Sequence, residues 1–147
     1  MEREDSKLDK LVLDSSVIIK WFSQEQDTEK AIAIRERLIQ GDIIIAAPDI
    51  QLYEIANALR YNSRLKEQDV KEAIESLLDI GVIIIIPTRE VIKLAIELAY
   101  KFDITIYDAY FIALAKELKF TFITADEKLY GKVSSLDFAM LLKNIKN

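Results

Sequence analysis

The chain contains no cysteine and no histidine, and only three glycines and two prolines among its 147 residues. Without cysteine there are no disulfides and no thiolate nucleophile. Without histidine the side chain most used as general base, zinc ligand or phosphoenzyme nucleophile near neutral pH is missing, so any catalysis has to run on other groups. So little glycine and proline excludes a collagenous, linker-rich or disordered chain. The glycines, Gly41, Gly81 and Gly131, are too scattered for a Walker loop or a Gly-x-Gly-x-x-Gly fingerprint. Long hydrophobic runs are also absent: stretches such as Ile43 to Ala47 and Val82 to Ile86 fall far short of the ~20 residues that cross a bilayer, so no contact with a membrane is expected. Residues 1–10 alternate charges of both signs and lack the apolar centre of a secretory signal, which makes the cytoplasm the expected location.

What is present is apolar bulk and carboxylate. Apolar residues make up 51% of the chain and charged ones 31%, the balance of one globular domain spanning residues 1–147, with its core expected over about residues 10–143. Asp and Glu number 25 against 20 Lys and Arg, a net charge of -5. Taken alone, that balance argues against a nucleic-acid binder, because affinity for a phosphate backbone comes chiefly from Lys and Arg.

Periodicity predicts alternating strands and helices. Lys10 to Leu13 is an apolar burst that stops at Asp14, and Ser15 and Ser16 are placed to cap a helix over Val17 to Ser23. Thr28 opens a second helical pattern that ends at Gly41, a residue suited to a left-handed stop. A strand at Ile43 to Ala46 follows. Leu52, Ile55, Ala56 and Leu59 then recur at helical spacing after Asp49, and Val70 to Leu78 continues as another helix up to Gly81. Val82 to Ile86 reads as a strand covered on both faces. Helices at Val91 to Phe102 and Ile106 to Leu118 lead to a strand at Phe120 to Ile123. Glu127 to Tyr130 reads as a helical turn, and Phe138 to Leu142 as a fifth strand or a last helix. Such alternation predicts right-handed crossovers and a mostly parallel sheet with helices on both faces. In sheets of this kind the site forms outside the carboxyl ends of the strands.

Four acids fall on that edge. Asp14 follows the first strand, Glu54 lies in the second turn of the helix after the second, Asp108 in the first turn of the helix before the fourth, and Asp126 just after the fourth. Each interrupts an apolar context, where an uncompensated charge is costly. Capping is the plain explanation for Asp14, for Asp108 as the last residue of a Thr105-x-x-Asp108 box, and for Asp126. It does not cover Glu54, which is too far into its helix and shares a face with Asn57. Crowded carboxylates repel, so the compensating group expected is a divalent cation with hard oxygen ligands, Mg2+ or Mn2+. Zinc is disfavoured without His or Cys.

The runs Val12-Leu13-Asp14-Ser15-Ser16, Tyr53-Glu54-x-x-Asn57-Ala58-Leu59, Tyr107-Asp108-Ala109 followed by Ile112-Ala113-Leu114-Ala115, and Thr124-Ala125-Asp126 occur in this order between Leu11 and about Tyr130. The ordered set resembles the successive signatures of PIN domains, and most of all the toxin ribonucleases of VapBC-type toxin-antitoxin pairs. The resemblance implies an α/β fold, a PIN-like three-layer sandwich. It implies Mg2+- or Mn2+-dependent endonucleolytic cleavage of RNA, with Asp14, Glu54, Asp108 and Asp126 as the catalytic, metal-holding acids. It further suggests Ser16 and Thr124 as neighbouring hydroxyls, Asn57 as a support for Glu54, an antitoxin protein as partner, and a homodimer. Hydrolysis by a metal-activated water needs no histidine. Of the net -5, four charges belong to these acids, which leaves the rest of the chain at -1. RNA contacts outside the site are therefore expected to be few, with Lys20, Arg60, Arg64 and Lys128 as candidates.

Two rivals fail on residues. A phosphorylation-dependent receiver wants paired acids after the first strand, and a haloacid-dehalogenase-like phosphatase wants Asp-x-Asp there, whereas the sequence reads Asp14-Ser15-Ser16. The alternative kept open is a PIN-like module that binds RNA or a partner without cleaving. Ile18, Ile19, Trp21 and Phe22 crowd one short helix, which reads either as part of a two-sided core or as a partner surface.

Overall fold

Successive side chains of a strand point to opposite faces of the sheet, and here both faces are apolar. Leu11 and Leu13 pack into one core cluster and Val12 into another; Ile45 and Ala47 part from Ala46, and Ile123 from Phe122, in the same way. The computed structural model, which describes residues 7–146, resolves this double demand into three layers. Strands β1 (Lys10–Leu13), β2 (Ile44–Pro48), β3 (Ile83–Ile85), β4 (Thr121–Thr124) and β5 (Ala139–Leu141) form one sheet in the order β3-β2-β1-β4-β5, with every neighbouring pair parallel. One face is covered by α1 (Ser15–Ile18), α2 (Thr28–Ile39), α3 (Ile50–Arg60) and α4 (Glu67–Asp79), the other by α5 (Arg89–Phe102), α6 (Ile106–Leu118) and α7 (Glu127–Val133). Helix α6 is buried over Ala109 to Ala115 without a break, which is why that stretch is apolar all round rather than amphipathic.

The stop signals act as expected. Gly41 and Gly81, after α2 and α4, have φ of 81° and 99°, a region open to glycine at no steric cost. Thr88 and Thr105 cap α5 and α6 through their hydroxyls.

Several expectations change. Strand β3, expected to be covered on both faces, is the outer strand of the sheet, with Ile83 exposed and Ile86 just beyond it 75% exposed. A short apolar run has the same composition at the centre and at the edge, because neighbours rather than residue types decide its cover. Strand β2 runs on to Pro48, and β4 is shifted by one residue to end at Thr124. The tail resolves into β5 followed by a 3-10 turn over Leu142–Asn144. The first helix is only Ser15–Ile18, continued by a 3-10 turn over Ile19–Trp21. Its apolar residues belong to the core. Val17 and Ile18 are fully buried, Trp21 is 6% exposed and donates its indole N–H to the Ala31 carbonyl at 2.8 Å, and Ile19 and Phe22 pack against the same core. The charged residues 1–6 lie outside the described residues.

Candidate active site

Strands β1 and β4 lie side by side with Leu13 opposite Ile123, so Asp14, just past β1, and Thr124, the last residue of β4, meet at the carboxyl edge of the sheet. The Asp14 N–H continues the ladder by donating to the Ile123 carbonyl at 2.8 Å. Its carboxylate, on a residue only 7% exposed, receives two hydroxyls on the same oxygen: Ser16 and Thr124 each donate to Oδ2 at 2.8 Å. Those hydroxyls accept in turn, Ser16 Oγ from the Ala125 N–H and Thr124 Oγ1 from the Asp126 N–H, both at 3.0 Å. The β4–α7 turn is thus tied to the first acid.

Burial pushes the Asp14 carboxyl up to about 6; the two hydroxyls pull it down, and the charges of Asp108 and Glu54 push it up again. Burial likewise raises Glu54, against the hydrogen bond from Ser15 and with the charge of Asp108. Asp108 is raised by burial, held back by hydrogen bonding to Thr105, and raised again by Asp126. The acids therefore form one chain of mutual repulsion running Glu54, Asp14, Asp108, Asp126, although they come from four separate segments.

The capping alternatives sort out individually. Asp14 precedes α1 but makes no side-chain cap bond. At α6 the cap is Thr105, whose Oγ1 accepts from the Asp108 N–H at 3.0 Å. Asp126 does cap: its Oδ1 accepts from the Leu129 N–H at 3.0 Å. One of its oxygens is engaged with α7, while its charge still acts on Asp108.

Asn57 does not support Glu54. It is exposed, and the partner of Glu54 is Ser15, which donates to Oε1 at 2.8 Å. Sequence periodicity points to support along the helix and so misses Ser15, which comes from the start of α1. It also misses Gln51, fully buried one turn before Glu54, whose Nε2 donates to the Leu13 carbonyl at 2.6 Å. The available signal was a polar amide at a core position of an amphipathic helix. Its Oε1 is buried without a partner among the described residues.

Of the candidate cations, Lys128 lines a groove with Asp108, Asp126, Thr105 and Lys132. Arg60 stacks on Tyr61 and lines the α3–α4 groove, and Lys20 borders a small crevice with Glu127 and Lys143. Tyr53 and Tyr107, each next to an acid in sequence, are 74% and 59% exposed and line an open depression with Glu54.

Residues 11–133, which carry all four acids, match the PIN domain. The chain belongs to the PIN domain family. Among PIN proteins it is 31% identical over 131 residues to ribonuclease VapC3 of Pyrobaculum aerophilum, covering 86% of this chain and 97% of that one. Its fold is shared with VapBC2 of Rickettsia felis bound to a promoter DNA fragment, at a TM-score of 0.70 and 15% identity over 90% of this chain and 98% of that one. It is shared also with Mycobacterium tuberculosis VapC20, a toxin that cleaves the sarcin-ricin loop, at 0.63 and 16% identity over 82% and 93%. The sheet order and the two helical layers described above are thus the PIN architecture. Among the described residues no three acids converge into a ready-made metal cage. The PIN site presents hard oxygen donors only, a set that suits a cation keeping much of its own water.

Proposed function

We propose that this PIN protein is a Mg2+- or Mn2+-dependent endoribonuclease, the toxin of a VapBC-type pair, working in the cytoplasm as a homodimer held in check by an antitoxin protein. The observation that carries the reading is Asp14: a nearly buried carboxylate, pushed up to about 6 by burial and by the charges of Glu54 and Asp108, with no Lys or Arg bonded to it among the described residues. A site that maintains such repulsion is built for a cation. The similarity to ribonuclease VapC3 supports RNA as substrate, and the toxin-antitoxin structures of the same fold support the antitoxin. Among the described residues no helix is long and apolar enough to cross a membrane.

Asp14, Glu54 and Asp108 would hold the cation, with Asp126 at the rim. Mg2+ commonly binds through one or two carboxylates and retains several waters, so not all of these acids need touch it directly. When bound, the cation supplies an activated water and neutralises charge at the scissile phosphate. The protein's own share is orientation. Ser16 and Thr124 both hold Oδ2 of Asp14, which leaves Oδ1 free of these two hydroxyls. Lys128 and Lys132 line the groove that leaves the site past Asp126 and offer charge to a flanking phosphate, while the exposed rings of Tyr53 and Tyr107 offer stacking faces to unpaired bases beside Glu54. Stacking matters in a chain of net charge -5, where electrostatic grip is limited.

The test is cleavage of single-stranded RNA. Activity should require Mg2+ or Mn2+, vanish with EDTA, vanish in Asp14→Ala, and leave a 5′-phosphate and a 3′-hydroxyl. A 2′,3′-cyclic end, or turnover that survives EDTA, would refute metal-dependent hydrolysis. Binding of RNA without cleavage under every condition would favour the non-cleaving module.

A further inference from the structure

Asp14 and Glu54 are 40 positions apart and sit on different elements, so their separation depends on how α3 is fastened to the end of β1. Two hydrogen bonds make that joint. Gln51 Nε2 reaches the Leu13 carbonyl at 2.6 Å inside the core, and Ser15 Oγ reaches Glu54 Oε1 at 2.8 Å. Gln51 and Glu54 are three residues apart and share one face of α3, so the amide fixes the backbone of the turn from which the Glu54 side chain departs. The hydroxyl then fixes the side chain itself, which has three rotatable bonds and is only partly buried.

The neighbouring serines divide the work. Ser16 donates to Asp14 and Ser15 to Glu54, so two adjacent hydroxyls orient two different acids. Ser15 has no helical duty to explain its hydroxyl: it is the first residue of α1, the N-cap position belongs to Asp14, and among the described residues its hydroxyl bonds to Glu54 alone. We propose that Ser15 is a positioning residue that sets the Glu54 carboxylate against Asp14 for a shared divalent cation, with Gln51 as the backbone half of the same clasp. This rests on the reading of Asp14 and Glu54 as a cation site. A hydroxyl donated to a carboxylate ligand restrains its orientation, and loss of such outer partners typically weakens metal binding 10–100-fold.

The experiment is a double-mutant cycle on Mn2+ binding, measured by titration calorimetry on the full chain without RNA, for wild type, Ser15→Ala, Glu54→Gln and the double variant. Thermal melting in EDTA establishes that each is folded. Ser15→Ala should weaken Mn2+ binding on the order of 10-fold in the wild-type background. In the Glu54→Gln background it should change nothing beyond twofold, because the group through which Ser15 acts is already disabled. An equal loss in both backgrounds would mean that Ser15 acts by general support of the fold, and no loss in the wild-type background would mean that Glu54 positions itself; either overturns the proposal while leaving the cation site standing. Failure of the wild type to take up Mn2+ overturns the proposed function and this inference together.

Discussion

Replacing Asp14 with asparagine should make the metal-free protein more stable, although it alters a nearly buried residue with two hydrogen bonds. Burial first, and then the charges of Asp108 and Glu54, move the carboxyl from its ordinary 3.8 to about 6 against the pull of Ser16 and Thr124. At about 1.4 kcal/mol per unit, holding this group ionised at neutral pH costs about 3 kcal/mol of folding stability. The folded protein binds the proton more tightly than the unfolded chain. The penalty is therefore absent below about pH 3.8, grows as the pH rises through the folded value, and is complete above about 6. Asparagine keeps one oxygen able to accept from both hydroxyls and carries no charge. If it recovers most of the penalty, Tm should rise by roughly 5–10 °C at pH 7.5, given about 2–4 °C per kcal/mol for a chain of this size. Calorimetric melts in EDTA between pH 4 and 8 would measure it, and the gap between variant and wild type should close toward pH 4. With Mn2+ added the order should reverse, because the variant has lost a ligand. An Asp14→Asn protein that melts at or below wild type in EDTA at pH 7.5, or a gap that widens on acidification, would refute the reasoning and return Asp14 to a structural role.

Trp21→Ala should lower stability by about 3–5 kcal/mol in denaturant titration, since it removes a buried indole and leaves the Ala31 carbonyl without its donor; a loss below about 1 kcal/mol would restore the surface reading of that helix. Tyr107→Ala should raise KM for single-stranded RNA by roughly 5–30-fold in steady-state cleavage, with kcat little changed, and Tyr107→Phe should stay near wild type, as expected for stacking worth about 1–2 kcal/mol. Lys128→Ala should reduce the slope of log affinity against log salt by about 1 in RNA binding, and an unchanged slope would remove Lys128 from the phosphate path.

The fold class was legible because both signals that carry it are local. Strand-length apolar runs alternate with helical periodicity, and the glycines at 41 and 81 end helices where a positive φ is needed. The acids were legible because Asp or Glu inside an apolar context is conspicuous, and because strand ends of one kind share an edge in a parallel sheet. Their supports were read less well. Ser16 lies two residues from the acid it serves, whereas Thr124 and Ser15 serve acids 110 and 39 positions away and Gln51 a carbonyl 38 positions away. Proximity along a helix pointed to Asn57, which faces solvent.

By itself, then, the sequence determined most of the segments that become strands and helices, and set Asp14, Glu54, Asp108 and Asp126 beside strand ends and in early helix turns, because periodicity, caps and strand ends are written in neighbouring residues. Only the tertiary structure decided the order β3-β2-β1-β4-β5, and with it that Val82 to Ile86 forms an edge and that the helix around Trp21 packs inward. It alone decided which hydroxyl serves which acid. Those outcomes depend on pairing and packing between segments tens of residues apart, where many arrangements satisfy the same local pattern and burial of both faces of the sheet selects one.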